Sequence, residues 1–356
     1  MKESVIERNA RLQTDKKIAD FRIKQQQPYK FKIVYAEARA WEFLNECGKR
    51  GLNCHVSVGG LDSITLLCFL RKIGIDVPAV SVSALEDRSI IKVHKALGVE
   101  SIRPIKKKPD VIREFGYPIL SKEIAGKISL LQHPSEKNKT VRHAIITGET
   151  GAYGGNRKGT RMKLSQHWLE LFGGADAEGA ERGYQAAPFL VSDKCCYYLK
   201  EKPCDDWARD HYSAPFLGLM ASEGGRRQKA LMMHGCNYFG ETTIRSAPFA
   251  IFQRQDVLQL ALDLKVPVPE IYGEIVMDQD GKLRTTKAQR TGCSMCGFGI
   301  HMEKRPHRFD RLWVRSPKEW EFWMIEMGWG DVLDYIGVGW RNPEEFLSAQ
   351  VSMDSI

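Results

Sequence analysis

No stretch of this chain approaches the roughly 18 uninterrupted apolar residues that a spanning helix requires, which argues against a membrane-embedded function. Its first residues, Met1-Lys2-Glu3-Ser4, carry neither an apolar core nor a cleavage-type site, so export by a signal peptide is not expected. Without export, the nine cysteines are expected as reduced thiols or metal ligands, not disulfides, and the cytoplasm is the expected compartment. No internal repeat and no clear linker stand out. The chain has no Gly-Lys-Ser/Thr of a Walker A loop, and its glycine-rich segment is not the G-x-G-x-x-G of dinucleotide folds. After Cys296 there is no further cysteine, and Leu347–Ile356 carries no thiol.

What is present is ample for a core: 356 residues with an ordinary apolar share of 43%. Lys and Arg number 53 against 44 Asp and Glu, a formal charge of +9, which favours anionic partners without choosing among nucleotides, sulfate and nucleic acid. The excess gathers at Lys106-Lys107-Lys108, Arg226-Arg227, Lys304-Arg305 with His307-Arg308, and Arg157-Lys158 with Arg161 and Lys163. Any of these can be solvated surface. The Arg157–Lys163 cluster lies among Gly154, Gly155, Asn156 and Gly159, which predicts a flexible basic loop for anion or nucleic-acid contact.

Along the chain, residues 1–50 read as a helical arm, with a helix over Ala36–Arg50. Short apolar runs then alternate with helical patterns: strands at Cys54–Val58, Ala79–Ser83 and Ser101–Ile105, helices at Asp62–Ile73 and Ser89–Leu97. That alternation predicts an α/β fold, a doubly wound, mainly parallel sheet, whose ligands collect beyond the strands' carboxyl ends. Further along, Lys122–Leu131, Met162–Leu171, Ser222–His234 and Gln255–Leu264 read as helices, and Ala144–Thr147 and Ala214–Leu219 as strands. A small hairpin is expected within 270–285, and an aromatic helical tail over 306–350. The expected division is an arm (1–50), a nucleotide domain (51–265) with an insertion at about 150–210, and a cysteine-bearing lobe (266–356).

The loop Val58-Gly59-Gly60-Leu61-Asp62-Ser63 joins a strand to a helix start. Glycines let backbone N–H groups approach a phosphate, and a helix N-terminus adds partial positive charge. Asp62 stands where a helix cap or a magnesium ligand would sit, and a plain tight turn is the alternative reading. The loop resembles the Ser-Gly-Gly-x-Asp-Ser pyrophosphate loop of the adenine nucleotide α-hydrolase superfamily. The family's first serine is Val58 here, with Ser57 one place early. Gly218-Leu219-Met220-Ala221-Ser222-Glu223-Gly224, then Arg226-Arg227, resembles the Gly-x-Arg-x-x-Glu-Ser segment of the phosphoadenylyl-sulfate (PAPS) reductase branch, with Met220 and Gly224 replacing its arginine and serine. Arg245-Ser246-Ala247-Pro248, Gln255-Asp256-Val257 and Pro269-Glu270-Ile271-Tyr272 are similar to further segments of that branch, in order over roughly residues 50–300. The resemblance implies a Rossmann-like fold. It assigns Ser57, Gly59, Gly60, Asp62, Ser63, Glu223, Arg226 and Arg227 to the nucleotide, Asp62 and Ser63 to catalysis, and Arg245 to an anion.

Gly292-Cys293-Ser294-Met295-Cys296-Gly297 is a knuckle that aims two thiolates at one metal; Cys195-Cys196 is an adjacent pair, unusual for zinc. The combination is similar to the set with which adenylyl-sulfate (APS) reductases hold a [4Fe-4S] cluster, which implies Cys195, Cys196, Cys293 and Cys296 as ligands. Structural zinc and unligated thiols remain alternatives, with Cys204 and Cys236 as substitute ligands. Cys47, Cys54 and Cys68 fall in apolar patterns and are expected in the core. Reductases of this branch attack sulfur with a cysteine in a C-terminal tail; none is present, so that route is not expected.

The resemblance therefore implies an ATP-consuming sulfur-transfer enzyme, with Mg2+ on the phosphates, a sulfur donor, and tRNA or DNA as a candidate substrate. The alternatives are reduction of APS or PAPS by an external thiol, and a non-catalytic nucleotide-binding subunit. The tail tryptophans would suit base stacking, or simply a core.

Overall fold

A computed structural model describes residues 5–82, 86–149, 162–173 and 185–347. The chain divides into two compact units, Met1–Pro104 with Lys202–Cys293, and Ile105–Glu201 with Ser294–Ile356.

The first unit begins with two long helices, α1 (Val5–Gln25) and α2 (Tyr29–Lys49). They are separated at Pro28, whose missing N–H and fixed φ suit the entry to a new helix. Helix α2 buries Ala36, Ala40, Phe43 and Cys47, the three-to-four spacing of one helical face. Then follow β1 (Asn53–Ser57), α3 (Leu61–Lys72), β2 (Ala79–Ser81), α4 (Arg88–Ala96) and β3 (Glu100–Ser101). The chain leaves for the second unit, which holds β4 (Ile119–Leu120), and returns with β5 (Ser213–Leu217), β6 (Asn237–Phe239) and β7 (Ile244–Ser246).

The sheet runs β3-β2-β1-β5-β7-β6, parallel throughout except for the β6–β7 edge. This is the α/β, mainly parallel architecture that the alternating pattern predicts. From β1 the chain builds outward through β2 and β3, then resumes on β1's other side with β5. β1 and β5 are paired in parallel from Asn53↔Ser213 to Ser57↔Leu217, so the loops after both strands emerge side by side. Such a reversal of winding opens a crevice at the strands' carboxyl ends. The packing that holds it includes Phe43, Leu61, Ile64, Leu67, Phe216, Phe249 and Phe252, all essentially inaccessible to solvent, with Phe43 edge-on to Phe216 at 5.0 Å. Cys47 and Cys54 are in this core as expected; Cys68 is half-buried. A small hairpin, β8 (Ile275–Met277) with β9 (Leu283–Thr285), completes the unit.

The second unit is mostly helical. Its only strand pair among the described residues is β4 with β10 (Gly297–Phe298), parallel. Helices at Lys122–Gln132, Gln166–Phe172, Arg308–Arg315 and Trp329–Tyr335 gather around Trp329, which is fully buried and edge-on to Tyr117 (5.3 Å) and Phe309 (5.4 Å). Trp323 and Trp340 are buried there too.

The tail tryptophans just named make a core, the second of the two roles expected of them. The two units are cut at 104/105, 201/202 and 293/294, and the tail's apolar face is buried against residues 105–201. Ala144–Thr147, expected as a strand, is the end of the helix Lys139–Thr147, closed by Gly148 at φ 84°. A short apolar run reads equally as strand or buried helix, and the helix is set by its burial of Ala144, Ile145 and Ile146. Among the described residues no helix is long and apolar enough to cross a membrane.

Candidate functional site

At the switch point, β1 ends at Ser57 and buried Val58 extends its pairing, donating to Val80 O at 2.8 Å. Side chains alternate along a strand. Val56 and Val58 therefore share one face, while Ser57 lies with His55 on the other. There the Ser57 hydroxyl is 3.4 Å from His55 Nε2, and His55 Nδ1 is 2.8 Å from Ser213 Oγ. Ser57 is thus tied to the sheet's far face and does not replace a hydroxyl at position 58. Burial, with a smaller push from His211, holds the His55 imidazole down at about 4.

Gly60 caps α3 with φ −82° and ψ −166°, a backbone any residue can adopt. Glycine suits the crowding there: a Cβ would displace the Tyr272 hydroxyl and approach Thr291 Oγ1 to 3.1 Å. The hydroxyl accepts from Leu61 N–H at 3.1 Å and lies 2.6 Å from Thr291 Oγ1. Ser63 braces the turn from inside, accepting from Gly59 N–H at 2.7 Å and donating to Gly60 O at 2.9 Å. Among the described residues, no protein atom accepts from the N–H of Gly60 or of Asp62. These are the donors the turn leaves open. Gly218, just after β5, lies so close to α3 that a Cβ would fall 2.8 Å from Ser63 Cα and 2.9 Å from Ser63 N.

Asp62 is paired through Oδ1 with the guanidinium of Arg254, whose Nη2 also donates to Gln289 O at 3.2 Å. Burial pushes the Asp62 carboxyl up, and Arg254 pulls against it; Glu223 adds to the rise and Arg290 opposes it. At the start of α3, then, Asp62 is in contact with Arg254 and within the electrostatic reach of Glu223 and Arg290. Arg254 and Arg290 escaped the sequence reading. One signal was there: Arg254 opens the helix Arg254–Asp263, an end where the helix dipole disfavours a cation unless another partner holds it.

Glu223 is anchored by two 2.9 Å bonds from Arg227 and sits at the end of a short 3-10 turn, Ala221–Glu223. Arg226 belongs to the following helix, Gly225–His234. Arg245 lies on β7, over the Tyr238 ring at 6.0 Å, toward the sheet's antiparallel edge. Arg157, Lys158 and Arg161 lie outside the described residues.

In the second unit, Cys195 and Cys196 occupy one helical turn, Lys194–Cys196; successive residues there point about 100° apart, Cys195 buried and Cys196 half-buried. Lys122 donates to Glu201 at 2.8 Å and lies against Cys196. Its ammonium pKa is raised although burial pulls it down, because Cys196 and Glu201 together outweigh that burial. Cys296 precedes β10; its carbonyl accepts from Arg308 Nη1 at 3.1 Å, and buried Lys108 donates to the carbonyl of Ser294. Cys293 is the last residue of the first unit. Among the described residues, no three or more His, Cys, Asp or Glu side chains are grouped to hold a metal ion. Of the substitute ligands, Cys204 is half-buried in the helix Lys202–Asp210. Burial pushes the Cys236 thiol up to about 11, against the thiolate a metal needs.

No protein-family model matches the chain, and no curated protein matches it. Among solved structures, the chain is similar to phosphoadenylyl-sulfate (PAPS) reductase from Candida auris in a phosphate complex. The similarity covers 68% of this chain and 88% of that one, at 11% identity and a TM-score of 0.33. A likeness that remote carries no functional argument, so the reading that follows rests on the loop.

Proposed function

We propose that the first unit binds the phosphates of an adenine nucleotide beyond β1, and that the protein is a sulfur-transfer enzyme of the ATP-adenylating type. The observation that carries the first part is the pair of open amides, Gly60 N–H and Asp62 N–H, at the sheet's switch point beside Arg254 and Arg290. Oriented amides and guanidinium groups are donors matched to phosphate oxygens, strongest where water is partly excluded. The adenine and sulfur assignments rest on the ordered motifs of the sequence.

In this reading the amides of Gly60 and Asp62 hold the phosphates and Arg254 and Arg290 offset their charge. Arg254 engages Asp62 Oδ1, so Asp62 Oδ2 is the oxygen that fits a magnesium ion accompanying the nucleotide. That ion supplies charge neutralisation of the phosphates. An acceptor oxygen attacks the α-phosphorus, pyrophosphate leaves, and a sulfur nucleophile then displaces AMP from the adenylated acceptor.

The Asp62–Arg254 pair also favours a second reading, binding of APS or PAPS with reduction by an external thiol, because a carboxylate already matched to a guanidinium calls for no metal. Calorimetry of anaerobically purified protein with ATP, APS and PAPS, with and without Mg2+, separates the two. The first reading requires ATP binding that depends on Mg2+, and release of pyrophosphate once the acceptor is supplied. Tight metal-independent binding of APS or PAPS, with sulfite release on adding a thiol, establishes the second. Nucleotide binding without turnover of any of the three leaves a nucleotide-binding subunit, and no binding at all overturns the proposal.

A further inference from the structure

We infer that His94 is a positioning residue for the phosphate loop, an inference that rests on the phosphate-binding reading above. His94 lies on α4 at 1% exposure, and its Nε2 is 2.8 Å from the carbonyl oxygen of Gly59. A carbonyl oxygen only accepts, so Nε2 carries the proton and donates.

The consequence follows from peptide geometry. In a trans peptide the C=O and N–H point in opposite directions. Holding the Gly59 carbonyl on His94 therefore aims the other end of the same peptide, the Gly60 N–H, away from His94. That is the amide for which no protein acceptor exists among the described residues. The peptide is flanked by glycine on both sides, and two glycines offer little steric resistance to its rotation. Turned over, it would present a carbonyl oxygen where an anion needs a donor. Ser63 holds the neighbouring groups, Gly59 N–H and Gly60 O, but neither belongs to the Gly59–Gly60 peptide. The direction of Gly60 N–H is thus set from α4, by a buried side chain that reaches no ligand itself.

The test uses the full-length protein, with inorganic pyrophosphate and ATP as probes. His94→Leu removes the donor; His94→Gln keeps an N–H at similar reach. The expected result is affinity for both probes at least about tenfold weaker in H94L and within about threefold of wild type in H94Q, the loss of one charge-assisted hydrogen bond. A readout that fold damage alone would not mimic comes from wild type: glycine labelled with 15N and carbonyl 13C selects the Gly-Gly peptides, and the Gly60 amide resonance shifts as pyrophosphate is added. Should H94L fail to fold, H94Q and this titration decide. Equal binding by H94L, loss of binding in folded H94Q, or an unresponsive Gly60 amide overturns the inference while the nucleotide reading stands. Absence of binding by wild type overturns both.

Discussion

The glycine-rich loop and the cysteine-bearing unit make opposite demands on the chain. The loop needs residues 57–63 in one local arrangement, and a parallel sheet supplies the crevice wherever its winding reverses. The cysteine set needs Cys195-Cys196 and Cys293-x-x-Cys296 brought to one point from distant parts of the sequence. In the structure the loop is assembled down to its hydrogen bonds, while no group of ligands is gathered among the described residues. A short motif read from sequence carries its geometry with it, whereas a split one depends on packing to bring its parts together.

The largest expected break of this contrast is Gly218→Ala. Its Cβ would meet the backbone of Ser63 at under 3 Å, and backbone cannot swing aside as a side-chain tip can. Overpacking costs about 1–3 kcal/mol, so calorimetry should show ATP affinity weakened by roughly tenfold to a hundredfold, with a lowered melting temperature. Unchanged affinity would show that the loop after β5 does not shape the site.

Arg254→Leu comes next. It leaves Asp62 buried without its guanidinium and should raise that carboxyl's pKa further, since the group now opposing burial is gone. Loss of about tenfold in ATP affinity is expected, from one charge-assisted contact, with a stability loss that Asp62→Asn in the same chain partly restores. Wild-type affinity in Arg254→Leu would remove Arg254 from the site.

A third prediction concerns pH. His55 is neutral in the fold down to about pH 4, whereas the unfolded chain takes up that proton near 6.5. Its contribution to stability is complete above 6.5 and is lost as pH falls through the window toward 4, by up to about 3 kcal/mol. Denaturant titrations across that window should show the slope in wild type and a flatter profile in His55→Gln. Parallel profiles would place the acid sensitivity elsewhere.

The smallest effect sharpens the comparison from the other side. Cys196→Ser should leave ATP affinity within about twofold, a change too small to mark a lost contact. If the [4Fe-4S] expectation holds, anaerobic wild type contains iron and sulfide and the variant loses them. One zinc per chain, or no metal, ends the iron–sulfur proposal.

Much of the first unit was legible beforehand. β1, α3, β2 and α4 fall within one or two residues of their expected places, because alternating short apolar runs and helical stripes declare a parallel α/β sheet. The glycine-rich turn was legible too, because Gly59-Gly60 between a strand and a helix start is a local pattern. Arg254 was not, because its partner Asp62 lies 192 positions away, and an arginine at a helix start signals that some partner holds it without saying which. The β6–β7 edge escaped because three-residue strands carry too little pattern, and Ala144–Thr147 because its run is too short to distinguish strand from helix.

By itself, then, the order of residues determined the layered class, the glycine-rich turn and the presence of paired thiols, all of which depend on near neighbours and on periodicity. Tertiary contacts alone decided which amides stay open, that Ser63 braces the turn, that His94 and Tyr272 hold its peptides, and that Trp323, Trp329 and Trp340 lie inside. The reason is physical. Backbone preference and apolar rhythm act over a few residues, whereas hydrogen-bond partners and burial depend on whichever distant segments the packed core brings within reach.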